Sequence, residues 1–205
     1  MRSSTLLLLV FLSGCRTVAA GVMERADALL EDYRHRATPT WETQREPEAE
    51  RWVPGQFTVY SRSSEDGAVL ERASIGRRRG DEVRVMIDRL GRGDQLRVHL
   101  TLARQPARRD ELAAVIVESW VTRGEGPEIH SLGAAPADVL ALAADTLIGP
   151  VRDGGDETIV VPAGRFEGCR GGTHSRVPIS GVVRQRGADV RELLEFGEDN
   201  GGALF

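Results

Sequence analysis

The sequence contains no lysine, and its 27 basic residues are all arginine. These arginines are scattered along the chain, and the formal net charge is −4. A protein that binds nucleic acid usually carries a basic patch or stripe, because the phosphate backbone must be neutralised. The charge pattern therefore predicts no nucleic-acid partner.

The chain also lacks an apolar run of membrane-spanning length at its start, although it opens on a short one. Residues 6–12 form an apolar run of about seven residues, whereas a spanning helix needs roughly 20. Arg2 precedes the run, and the small residues Ser13 and Gly14 follow it. This order is typical of a secretory signal peptide. We therefore expect residues 1–14 to be a signal peptide that is removed on export.

Cysteine is scarce as well, and one of the two cysteines directly follows the expected export signal. Residues 12–15, Leu-Ser-Gly-Cys, resemble the lipobox of bacterial lipoproteins. In that family the signal is cleaved just before the cysteine, whose thiol receives a diacylglycerol and whose new amino group is acylated. The resemblance implies that Cys15 carries acyl chains that hold the protein at a membrane. The alternative is an ordinary secretory signal in which Cys15 has no role.

The residue after Cys15 is Arg16 and not Asp, which at that place would resemble a mark for retention in the inner membrane. The resemblance therefore implies a lipid-anchored protein of the bacterial cell envelope, at the outer membrane and facing the periplasm. With Cys15 lipidated, Cys169 has no partner for an internal disulfide.

Residues 15–50 are predicted to hold the lipidated cysteine, an amphipathic helix and a charged linker. The stretch RATPTWETQREPEAER, residues 36–51, contains two prolines and many charges, which is typical of a linker. Before it, six apolar residues recur at helical spacing, with charged residues between them. They are Val22, Met23, Ala26, Leu29, Leu30 and Tyr33.

Residues 51–205 are predicted to form one β-rich domain. In QLRVHLTL, residues 95–102, apolar and polar side chains alternate, as in a strand with one buried face. Turn residues such as Asp66-Gly67 and Gly80-Asp81 separate runs of this kind and indicate hairpins. The apolar members of the run are Leu96, Val98, Leu100 and Leu102.

One internal helix is predicted at PADVLALAADTLIGP, residues 136–150. Pro136 suits the first helical position, and Gly149-Pro150 ends the helix. Its apolar face consists of Val139, Leu142, Ala143, Thr146 and Leu147.

Two further segments are predicted to be strands. AAVIVESWV, residues 113–121, suits a helix or a strand, and its four β-branched residues favour a strand. VPISGVVRQ, residues 177–185, is the other. The predicted fold class is α+β: a curled antiparallel sheet of about eight to ten strands with one covering helix, plus the N-terminal amphipathic helix.

The C-terminal third carries turn-and-strand motifs that resemble a group of bacterial envelope proteins. VPAGRFEGCR, VPISGVVRQ and ELLEFG follow one another as a tight turn with a following aromatic, a strand, and a last strand ending in glycine. Together with the preceding helix and WVPGQFTVY at residues 52–60, this order is similar to the LolA/LolB-like group over residues 51–197. The resemblance implies a half-barrel sheet lidded by a helix, in an uncharacterised subgroup. LolA and LolB carry lipoprotein acyl chains under that helix, but no residue here matches an acyl-contacting motif.

Six residues are candidates for lining a ligand cavity between the sheet and the helix. Such cavities are concave and largely apolar. The alternative is a closed core of ordinary packing density, since aromatic residues make up only 5% of the chain. The candidates are Trp52, Phe57, Tyr60, Trp120, Leu140 and Leu147.

Cys169 and His174 form a pair of nucleophile and base that lie close in sequence. Catalysis requires the thiolate, activated by an imidazole within hydrogen-bond reach. No Asn or Asp is positioned to orient the imidazole, and the alternative is an inert, half-buried thiol. His99, His130 and His174 lack the short spacing of zinc ligands, so we expect neither a metal nor a cofactor.

The sequence therefore predicts an envelope lipoprotein that is not an enzyme. Its expected partners are a membrane, through acyl chains on Cys15, and either an apolar small molecule or lipid or another envelope protein. One alternative is a purely structural or accessory subunit with a filled core, and a second is a thiol enzyme that uses Cys169.

Overall fold

The computed structural model describes residues 24–35, 52–64, 67–91, 94–150 and 154–198. The predicted signal peptide at 1–14, the lipidated Cys15 and the linker at 36–51 lie outside these ranges and stay predictions. Within the described ranges, no helix has the length and apolar character needed to cross a membrane.

Ten strands occur in the described part of the chain, and all their pairings are antiparallel. They are β1 (Gln56–Ser64), β2 (Gly67–Arg79), β3 (Glu82–Gly91), β4 (Asp94–Leu102), β5 (Ile116–Arg123), β6 (Ile129–Leu132), β7 (Glu157–Val161), β8 (Gly164–Cys169), β9 (Arg184–Arg186) and β10 (Val190–Glu198). Eight of them form an open sheet in the order β6-β5-β4-β3-β2-β1-β10-β9, and β7 and β8 form a separate hairpin.

The described ranges contain three α-helices. Residues 24–35 are helical and are called α1; α2 is Leu112–Val115, directly after a 3-10 turn, and α3 is Ala137–Leu147. The predicted α+β class with an open antiparallel sheet is confirmed. The predicted apolar face of α3 is also confirmed, because all five of its residues are buried. Pro136 is the residue before the helix and not its first member.

Two of the predicted strands are wrong in part. Residues 113–121 begin in α2, because one helical turn buries Leu112 and Val115 in the core beside α3, and the strand starts only at Ile116. Residues 177–185 contain an isolated bridge at Val182 and only the beginning of β9. Ile179 has a φ of 65°, which an extended strand does not accommodate.

The two faces of the sheet carry different partners. On one, the α3 face, α2 and α3 pack over β2–β5, and the β7–β8 hairpin packs over Tyr60 and Leu193. The other, the α1 face, holds α1, whose Leu30 and Tyr33 pack against a cluster that includes Phe57. The apolar residues of β4 all lie buried on the α3 face, as their alternation predicts.

Candidate functional site

A groove of about 920 Å³ lies on the α1 face, over the middle of the sheet. Directly paired residues of neighbouring strands point to the same face, so the strand register determines which side chains line the groove. The register places five side chains in one row across β2–β6. In order, they are Ser74, Met86, His99, Trp120 and His130.

The outer end of this row is an aromatic stack. The rings of Trp120 and His130 lie nearly parallel, with centroids 3.8 Å apart and an interplanar angle of 13°. Stacked rings of this kind hold each other in place. The indole of Trp120 is therefore a fixed apolar surface beside Met86 and His99.

A second row supplies charge to the groove, with Arg84, Thr101 and Glu118 paired across β3–β5. The Thr101 hydroxyl donates a 2.8 Å hydrogen bond to Glu118 Oε1, and His130 Nε2 lies 3.4 Å from Glu118 Oε2. The bond from Thr101 is the main cause that lowers the pKa of Glu118, with smaller contributions from His130 and Arg84. Glu118 is thus held ionised, close to the positive charge of Arg84.

A second polar cluster lies on the α3 face, between the two apolar clusters. Glu71 is only 1% exposed, and its carboxylate oxygens lie 3.5 Å from Arg62 Nε and 3.7 Å from Arg191 Nε. Within the described chain, neither oxygen of Glu71 accepts a hydrogen bond. The carboxylate is therefore held in the core by two ion pairs alone.

Arg191 links this cluster to α3. Its side chain is 3% exposed, and its Nη1 donates a 2.8 Å hydrogen bond to the carbonyl of Asp145 in α3. Its guanidinium lies 3.8 Å from the ring centre of Tyr60, at cation–π distance. Burial is the main cause that raises the pKa of Tyr60. The contacts of this cluster connect β10 with α3 in the interior of the protein. The groove is therefore the more accessible of the two sites.

The six residues predicted to line a single cavity lie in different places. Trp52, Leu140 and Leu147 belong to the cluster beneath α3, whereas Tyr60 packs with the β7–β8 hairpin. The other two are on the opposite face, Phe57 beneath α1 and Trp120 in the groove.

Packed side chains occupy the space beneath α3. Val139 and Leu147 of the helix are at most 1% exposed, and Trp52 is 3% exposed. A smaller cavity of about 750 Å³ lies at the C-terminal end of α3, and Trp52, Leu147, Arg78 and Arg104 contribute to its wall. Along the rest of the helix, Val139 and Leu142 cover a closed core, which is the alternative to a ligand cavity.

Cys169 is fully buried in β8, and its Sγ lies 3.6 Å from the carbonyl of Phe166. Burial is the main cause that raises the pKa of this thiol, and the negative charge of Glu157 adds to it. A raised pKa leaves less thiolate at neutral pH, which disfavours a nucleophilic role.

His174 directs both ring nitrogens to backbone groups. Its Nε2 lies 3.1 Å from the carbonyl of Glu167, and its Nδ1 accepts a 3.1 Å hydrogen bond from the amide of Arg176. Across the ranges that the structure describes, no group of three or more His, Cys, Asp or Glu residues is placed to hold a metal.

One groove residue, Trp120, was among the predicted cavity residues, but the groove itself was not predicted as a site, although one signal was available. In QLRVHLTL, His99 belongs to the polar face, and Trp120 is its direct partner in β5. Recognising from the sequence that β4 pairs with β5 would therefore have predicted that Trp120 lies on the polar face, beside His99.

Comparison of the chain with protein-family models, with curated proteins and with solved structures finds no match. The resemblances to bacterial lipoproteins and to the LolA/LolB-like group therefore stay predictions.

Proposed function

We propose that this chain is a lipid-anchored protein of the bacterial cell envelope that has no catalytic role and binds a protein partner in the groove of its α1 face. The anchor is Cys15, and the location is the periplasmic side of the outer membrane. The support for the anchor is the Leu-Ser-Gly-Cys sequence at 12–15, directly after a short apolar run that follows Arg2.

The fold part of the proposal is a half-barrel of the LolA/LolB-like kind. Its support is the open antiparallel sheet with α3 packed against one face. We place no acyl chain beneath the helix, because packed side chains such as Val139 and Leu142 fill that space.

The groove is the single observation that carries the binding role. It combines a fixed aromatic surface at Trp120 with a thioether at Met86 and the opposite charges of Arg84 and Glu118. Surfaces that combine an aromatic residue with polar and charged neighbours are typical of protein interfaces. A purely structural subunit is the second candidate function, favoured by the closed core, and it differs in leaving the groove unused.

The lipid anchor is tested by replacing its cysteine. We expect the wild-type chain to incorporate labelled palmitate and to sediment with membranes, and the Cys15→Ser variant to do neither. The matched control is Cys169→Ser, which retains both properties. Mass spectrometry of the mature amino terminus completes the test, and a mature chain that starts at a residue other than Cys15 would disprove the anchor.

The binding role is tested by photo-crosslinking in intact cells. A crosslinking side chain in place of Met86 is expected to give one adduct of defined mass, whereas one in place of the exposed Val160 of β7 gives none. Adding Trp120→Ala should weaken binding about 30-fold, since truncating an aromatic residue that anchors an interface costs about 2 kcal/mol or more. Equal adducts from both positions, or no loss with Trp120→Ala, would rule out the groove as the binding site.

A further inference from the structure

One edge of the eight-stranded sheet is exposed and carries no protective side chains. Strand β6 lies at this edge, with Ile129 53% exposed and Leu132 76% exposed. Its sequence, Ile-His-Ser-Leu, contains no proline, arginine or acidic residue. Natural sheets usually protect their edges with charges, proline, a covering segment or a very short strand, because an open edge pairs readily with another strand. Strand β6, with four residues, has the last of these and no protective side chain.

The opposite edge, β9, shows such protection. Its sequence is Arg-Gln-Arg, and the side chain of Arg184 is paired with Glu192 at 2.8 Å. The backbone amide of Arg184 donates to the carbonyl of Gly172, so another part of the chain covers this strand. The two edges therefore differ: among the residues that the structure describes, β6 is the edge that presents apolar side chains along an open backbone.

The hydrogen-bond pattern of β5 and β6 shows which backbone groups of β6 face outward. The amide of Gly133 donates to the carbonyl of Val117 at 2.8 Å. Antiparallel pairs alternate between hydrogen-bonded and non-bonded positions, so Ser131 also bonds to β5. His130 and Leu132 then direct their N–H and C=O groups away from the sheet.

We propose that β6 pairs antiparallel with β6 of a second copy of this chain, about a two-fold axis that passes beside Ser131. In this register His130 of each copy lies opposite Leu132 of the other, and all the outward N–H and C=O groups of these two residues form hydrogen bonds. Ser131 lies opposite Ser131 of the second copy. The two sheets join into one continuous sheet.

The side chains of the strand fit this register. Leu132 of the second copy lies next to His130, and it extends the apolar surface of the Trp120–His130 stack on the α1 face. On the α3 face, Ile129 lies over Gly133 of the second copy, which has no side chain and has open space at its Cβ position. A symmetric dimer needs a self-complementary surface of this kind. No charge in β6 opposes a like charge across the axis.

The two-fold axis stands perpendicular to the sheet, because directly paired residues must point to the same face. Both grooves therefore lie on the same side of the joined sheet. The inference goes beyond the proposed function and does not depend on the lipid anchor.

A disulfide trap tests the register in the purified, detergent-solubilised full chain. Opposed residues at non-bonded antiparallel positions have Cα atoms about 4.5 Å apart, within the roughly 4.4–6.8 Å that a disulfide spans. Ser131→Cys is therefore expected to form a covalent dimer on mild oxidation. The trap is made in the Cys15→Ser background, in which the buried Cys169 is the remaining native cysteine. This parent and its Val160→Cys variant serve as controls and stay monomeric on a non-reducing gel. Stronger crosslinking of His130→Cys than of Ser131→Cys would overturn the proposed register.

Sedimentation equilibrium tests the dimer itself. The wild-type chain is expected to have twice the monomer mass, and Leu132→Pro to weaken dimerisation at least tenfold. Proline here removes an outward N–H and no bond to β5. Leu132→Lys is the second variant, with near-ultraviolet circular dichroism as the check on folding. A monomeric wild type, or a folded Leu132→Lys variant that dimerises as well as wild type, would overturn the proposal. Cys15→Ser should remain dimeric, which separates this test from that of the anchor.

Discussion

Replacing Arg191 with Met is expected to lower the free energy of unfolding by about 3–5 kcal/mol, the usual cost of removing one member of a buried ion pair. Glu71 is 1% exposed, and without Arg191 its carboxylate keeps only the ion pair with Arg62 at 3.5 Å. The substitution also removes the hydrogen bond to the Asp145 carbonyl, which ties α3 to β10. Urea unfolding followed by circular dichroism measures the change.

The Glu71→Leu and Arg191→Met double variant is expected to recover most of this loss. Replacing both members of a buried ion pair with apolar residues is often neutral or even stabilising, and Arg62 keeps a second carboxylate, Asp145, within 3.9 Å. The matched surface control is Arg165→Met, whose ion pair with Glu167 is exposed and whose loss costs about 0.5 kcal/mol or less. Additive losses in the double variant would show that Glu71 and Arg191 are not coupled.

The buried charges of this cluster were beyond prediction from sequence because their positions depend on distant strand pairings. Glu71 in β2 and Arg191 in β10 lie on strands that do not touch, and β1, which pairs with both, brings them together. The sequence around Glu71 and the sequence around Arg191 do not indicate that either charged side chain is buried. The sequence GAVLERASIG predicts a strand, but it does not show which charged side chain will be covered by a segment more than 100 residues away.

Secondary structure was predicted correctly from the sequence where the regular spacing of apolar residues matches the side chains that the fold buries. The alternation of β4 and the apolar face of α3 both follow from spacing alone, and both are confirmed. The predicted cavity instead grouped residues by aromatic and apolar type, regardless of face. Phe57 and Tyr60 are three residues apart in one strand, so their side chains point to opposite faces. Strand β6 has four residues, which are too few to show an alternation of apolar and polar side chains.

Leu142→Ala is expected to lower the free energy of unfolding by about 2–5 kcal/mol, the range for truncating a large aliphatic side chain in a packed core. Leu142 is 7% exposed and lies in the middle of α3, in the same cluster as Trp52. Leu140 of the same helix is only partly buried, so Leu140→Ala is the matched control and should cost clearly less. Urea unfolding of the three proteins gives both differences.

This comparison also decides between a closed core and a lipid cavity beneath α3. In a packed core, truncation removes the contacts of Leu142 and leaves a new void, and both effects lower stability. At the wall of an existing cavity, truncation only enlarges a space that is already present, so Leu142→Ala should then cost no more than Leu140→Ala. A large difference between the two variants would place any partner of this domain outside the space beneath α3. A small difference would restore that space as the candidate site for an apolar ligand.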